Sequence, residues 1–173
     1  MIKARKFFIK HFYNILSVVS VGFPFAAYKF LAGDAIKNLS GGSPAGIFFF
    51  YLFIIWAAID FLLNFNALMS VIISGKYPKN VCILAVIENK IKYADKIHGI
   101  GVAIDLFLSF CIVAWVVGGN LFGALSPGYI YIWNASTVLN VLGAGIARLS
   151  EFIIDEVHVK QKKNEEEEQN DCD

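Results

Sequence analysis

The sequence predicts an all-α integral membrane protein, a bundle of four transmembrane helices. Three observations carry this. Of 173 residues 57% are hydrophobic and only 17% charged, where an ordinary soluble domain has ~25% charged. Four apolar runs reach the ~20 residues a helix needs to cross a ~30 Å hydrocarbon core. None alternates apolar and polar residues over ~10 positions, as a barrel strand must. The 14 Gly, 4 Pro and 3 Cys exclude collagenous, Pro-rich and disulfide-stapled classes.

The first span runs from about Phe12 to Phe30, interrupted at Pro24. The second, about Gly46 to Ile73, is the most hydrophobic and opens with Phe48-Phe49-Phe50-Tyr51. The third covers about Ile97 to Leu125 and the fourth about Tyr129 to Ile154. Spans two and three exceed a minimal crossing, which implies tilt or projection beyond the hydrocarbon. These spans make one domain, 1–157, followed by a charged tail, 158–173.

Lys and Arg set the orientation, because cytoplasmic loops retain them. Lys3, Arg5, Lys6 and Lys10 precede span one; Lys76, Lys79, Lys90, Lys92 and Lys96 join spans two and three. Arg148, Lys160, Lys162 and Lys163 close the chain, leaving Lys29 and Lys37 on the other side. Both termini are therefore expected in the cytoplasm, in a bacterial inner (plasma) membrane. A rival reading makes residues 1–22 a cleaved signal peptide, with Ser20-Val21-Gly22 as the small-x-small site.

The loop after Tyr77-Pro78 predicts a helix N-capped by Asn80. Its apolar face is Ile83, Leu84, Ile87, Ile91 and Ala94, which suits an amphipathic helix on anionic headgroups as well as a plain linker. Gly33 to Ala45 reads as a flexible outer loop bearing the sequon Asn38-Leu39-Ser40. The tail, with Glu165 to Glu168, has no apolar face and reads as disordered.

Catalytic signals are missing from the sequence. Cys82, Cys111 and Cys172 have no CxxC spacing and read as free thiols. His11, His98 and His158 fit no ligand pattern, so no metal and no cofactor is expected. GxSxG, GxxxxGK[ST] and post-strand GxGxxG motifs are all lacking. Nothing points to a nucleic-acid partner.

Polar residues inside the spans say more. A carboxylate at mid-bilayer costs at least ~2.5–3.5 kcal/mol to insert, so Asp60 and Asp105 are expected to face inward with partners. Asn64 lies one turn from Asp60, and Ser109 one turn from Asp105. Counting depth brings these four, Asn140 and Arg148 together in one half of the bundle. The preferred contact is Asp105 with Arg148, with Asp60 nearer Asn64, Ser109 and Asn140. Gly119 and Gly123, a GxxxG pair, and Gly143 and Ala144 are expected at close helix crossings.

The function expected from this is a non-enzymatic accessory, assembly or immunity/exclusion-type protein. It would contact the lipid bilayer and either another membrane protein or a second copy. The alternative is a proton- or cation-coupled channel or carrier using Asp60 and Asp105.

Overall fold

The computed structural model describes residues 11–78, 80–91, 99–143, 145–146, 149 and 152. All regular structure among them is helical. Helix α1 spans His11–Leu39, α2 Pro44–Ser74, α3 Ile83–Lys90 and α4 Ile100–Gly118. A short 3-10 turn, Leu121–Ala124, follows. Helix α5 covers 129–143, and the described residues beyond it, to Phe152, are helical too. Helices α1, α2 and α4 are long and apolar enough to cross a membrane.

Pro24 does not end the first helix. A π-helical turn, Val18–Gly22, precedes it, with the Phe23 N–H reaching back to the Val18 carbonyl. Proline has no N–H for the Ser20 carbonyl four residues earlier, and such a carbonyl needs another donor in an apolar setting. Asn140 Nδ2 of α5 supplies it at 3.1 Å. The helix then continues to Leu39, so the flexible loop expected from Gly33 shrinks to residues 40–43. Burial is the reason: Leu31, Ala32 and Ala35 are wholly inaccessible. The residues around the candidate signal-peptide cut, Val18 and Ser20, are buried in this same helix.

Helix α2 starts with Pro44 at its first position and Ser43 Oγ accepting from the Gly46 N–H, the usual proline and N-cap preferences. It stops at Gly75, whose φ of 66° lets the chain turn away. Helix α4 ends seven residues before the expected Leu125. Its last turn closes with Gly119 N–H on the Trp115 carbonyl, and Asn120 takes φ 51°. The Gly119/Gly123 pair therefore forms a turn rather than a helix crossing. A Cβ on Gly123 would meet nothing within 4 Å.

Helix α1 is the hub of the bundle. Half of its most apolar stretch is buried inside the protein, against 17% for α2 and 28% for α4. An apolar layer joins Phe25, Tyr28, Leu31, Ala32 and Ala35 of α1 to Ile112 and Val116 of α4, Leu125 and Trp133. Tyr28 also donates to Thr137 Oγ1 of α5 and stacks at 5.0 Å from Trp133. Gly143 lets α5 approach α1 closely, because a Cβ there would overlap the Ser20 side chain. Asp34 holds the turn into α5 by accepting from the Ser126 N–H at 2.8 Å and from its hydroxyl at 3.1 Å.

Candidate functional site

Three charged side chains meet in the middle of the bundle. Lys29 of α1 donates to Asp60 Oδ2 of α2 at 2.5 Å and to Asp105 Oδ1 of α4 at 2.6 Å. Lys29 is 0% exposed, Asp60 2% and Asp105 7%. Each comes from a different helix, so the ammonium ties α2 to the α1–α4 pair that the apolar layer joins. Its Nζ lies 4.7 Å from the centre of the Trp56 ring, one turn before Asp60, which adds a cation–π contact.

The second oxygen of Asp60 is also engaged. Oδ1 accepts the N–H of Ile83, the first residue of α3, at 2.9 Å. The first N–H groups of a helix lack internal partners and favour a negative charge. Asp60 thus caps α3 from another helix, while Asn80, expected to cap it, instead accepts from Asn89 Nδ2. Helix α3 passes the same service on: Glu88 Oε1 and Oε2 accept the N–H groups of Gly99 and Gly101 at the start of α4, at 2.8 and 2.6 Å. Gly101 is required for this docking, since a Cβ there would strike the backbone of Leu84 and Ala85. The loop helix is therefore folded into the bundle end through Cys82 and Ala85, with Ile87 and Ile91 exposed.

A cavity of about 120 Å³ opens beside the triad, large enough for several waters. Lys29, Asp60 and Asp105 line it together with Ser17, Asn64, Tyr77 and Cys82. Burial pushes the Cys82 thiol from 9.0 up to about 11, with Asp105 and Asp60 adding to the rise. The thiol is therefore protonated at neutral pH, and a nucleophilic role does not suit it.

Asn64 Nδ2 donates to the Asp60 carbonyl and lies against Gly22; Ser109 Oγ donates to the Asp105 carbonyl. Both satisfy their own helices beside the triad. Asn140 is engaged with Ser20 and not with Asp60. Arg148 and Ala144 lie outside the described residues, among which the cation on Asp105 is Lys29. Of the basic loop, Lys76 and Lys90 are exposed; Lys79, Lys92 and Lys96 lie outside the described residues, as does the tail. Asn38 of the sequon gives its amide to the Ala124 carbonyl at 2.7 Å.

Sequence reasoning missed Lys29, the key cation. Ending span one at Phe30 put Lys29 in the interface. Two signals were present: Gly22, Ala26, Lys29 and Gly33 recur at three- and four-residue steps, marking a packed face with Lys29 in it. Two intramembrane acids also call for a cation from some span.

The chain matches no protein-family model, no curated protein and no solved structure. What it does must be argued from its own geometry.

Proposed function

We propose that this is a small non-enzymatic membrane protein that acts by helix–helix contact within the bilayer, as an accessory, assembly or immunity/exclusion-type subunit. In this reading α5 is a fourth span, both termini and the charged tail are cytoplasmic, and α3 enters the bundle from the cytoplasmic side of a bacterial inner membrane, its first turn seated on Asp60. One observation carries it. The buried charges are paired within the chain, one ammonium between two carboxylates, and Phe25 of the apolar layer lines the space beside them. Such a core builds a rigid scaffold, and its outward faces are left for lipid or a partner. The absence of catalytic motifs in the sequence favours the same reading.

The test is purification of tagged protein from its native membrane in a mild detergent or nanodiscs, with mass spectrometry of what accompanies it. A stoichiometric second membrane protein is expected. Recovery of this chain with no membrane-protein companion, at native expression level, would overturn the accessory role.

A second reading has its own support. The cavity reaches Asp105, whose Oδ2 has no hydrogen-bond partner among the described residues. A carboxylate with a spare acceptor, lining a space large enough for waters, suits proton or cation handling.

A further inference from the structure

Helix α2 buries one face and exposes the other. Ala57, Asp60, Asn64, Ala67 and Val71 point inward. On the far side Ile55, Ile59, Leu62, Asn66, Met69 and Ile73 succeed one another at steps of four, three, four, three and four residues. That is the spacing of a coiled-coil seam, in which alternate three- and four-residue steps keep a stripe facing a partner helix. Five of the six are apolar, and all but Ile59 are exposed. The sixth, Asn66, is an exposed amide with no hydrogen-bond partner among the described residues. With Ile59, the midpoint of α2, set at the bilayer centre, Asn66 is seven residues or about 10 Å away, inside the ~15 Å half-thickness of the hydrocarbon. An amide facing lipid tails loses its hydrogen bonds to water and gains none.

We propose that α2 pairs with α2 of a second copy of this chain, along this seam, with Asn66 hydrogen-bonded to Asn66. The chemistry selects that occupant. An amide both donates and accepts, so two of them form a self-complementary pair. Copies inserted in one membrane share one orientation, and their α2 helices are parallel when related by a two-fold axis along the membrane normal. That axis brings Asn66 opposite Asn66 at one depth without any further requirement. A single Asn in an otherwise apolar seam is also the device that fixes register and oligomer state in coiled coils. This inference deepens the proposed function by naming one helix contact. It rests on that reading only in placing α2 within the bilayer.

The experiment uses full-length chain, labelled for energy transfer, in vesicles of phosphatidylcholine and phosphatidylglycerol at 3:1, diluted across protein-to-lipid ratios. A dimer is expected. Asn66→Leu should weaken it roughly threefold to thirtyfold, the range for one interhelical amide bond, and Asn66→Gln should retain most of the affinity. Because Asn66→Leu removes a polar group from a lipid-facing site, it should not impair insertion. Site-directed cross-linking, with Cys82, Cys111 and Cys172 replaced by Ser, supplies the geometry. Leu62→Cys should give homodimers, and Phe107→Cys, exposed on α4, should not. A monomer at all dilutions, a dimer indifferent to Asn66→Leu, or cross-linking through Phe107→Cys instead would each overturn the proposal. In native membranes, Leu62→Cys captured only by a different protein would overturn the self-pairing while supporting the accessory role.

Discussion

Removing the ammonium from the triad, by Lys29→Met, is the most direct test of the core. Its two acceptor oxygens sit 2.5 and 2.6 Å from one nitrogen, so they are at most about 5 Å apart. Two like charges at that distance repel by about 3 kcal/mol at an effective dielectric of ~20. Breaking a buried ion pair by deleting one partner costs ~3–5 kcal/mol in general, because the charge left behind is unsolvated. In the parent the ammonium between the two carboxylates offsets that repulsion; without it both are left unpaired, so a loss of at least about 3 kcal/mol is expected. The methionine keeps most of the lysine's aliphatic volume, so packing against Trp56 is largely preserved.

The control is Lys29→Met combined with Asp60→Asn and Asp105→Asn. It removes the charges together, and uncharged replacements of buried ion networks are often neutral. The triple variant should therefore lie well above the single one in stability, by about 2–3 kcal/mol. Unfolding by denaturing detergent in mixed micelles or bicelles, followed through tryptophan fluorescence, measures both; Trp56 reports directly because it lies against the Lys29 ammonium. If Lys29→Met is as stable as the parent, or if the triple variant falls as far as the single, the triad does not hold the helices as argued.

Asp60→Leu also strips the cap from α3, so hydrogen exchange over 83–90 should accelerate and Cys82, now 4% exposed, should become open to maleimide; unchanged labelling would show that Asp60 does not dock the loop. The raised Cys82 thiol has a signed consequence. A folded value of about 11 against 9.0 means the unfolded chain loses its proton first, so stability falls as pH rises from 9 to 11. Cys82→Ser should flatten that part of the profile, by up to about 2–3 kcal/mol at its upper end. Asn140→Leu should cost ~0.6–1.7 kcal/mol, the span measured for interhelical bonds. In a Pro24→Ala background, which returns an N–H to the Ser20 carbonyl, the cost should shrink; an additive double mutant would deny the link.

Much of this was legible in the sequence because hydrophobic length and period are properties of the chain itself. The apolar stretches of α1, α2 and α4 followed from composition, and the inward turn of Asp60 and Asp105 from the penalty of exposing them to lipid. Their shared partner was not legible. Sequence pattern alone closes span one near Phe30, because Pro24 reads as an interruption and Gly33 as the start of a loop. Both impressions assume that a helix must satisfy its own backbone. Pro24 is accommodated because Asn140, 120 positions from Ser20, donates to the freed Ser20 carbonyl, and no local pattern encodes that. The cap on α3 was hidden for the same reason: Asn80 was the local candidate, but Asp60 reaches in from α2. Helix boundaries thus depended on tertiary donors and acceptors, while helix existence did not.

Among the described residues there are four acids, and they do not carry equal duties. Asp34 holds the Ser126 backbone, Asp60 the start of α3, and Glu88 the start of α4. Each therefore orders the beginning of a following segment, and its replacement disturbs the fold. Asp105 alone binds no backbone N–H; it takes only Lys29, through Oδ1, and lines the cavity. This asymmetry separates the two functional readings better than Asp60 can. Asp60→Asn perturbs a helix cap and the triad at once, so lost activity would not distinguish unfolding from lost titration. Asp105→Asn leaves every cap in place and keeps an oxygen for Lys29. If the triad is purely a scaffold, this variant should fold, insert and recruit its partners like the parent, with stability changed by no more than ~1–2 kcal/mol. If the site moves protons or cations, reconstituted vesicles should show flux in the parent and lose it in Asp105→Asn with the bundle intact. Vesicles without flux in either protein would dispose of the carrier reading, and flux that survives Asp105→Asn would remove Asp105 from any path.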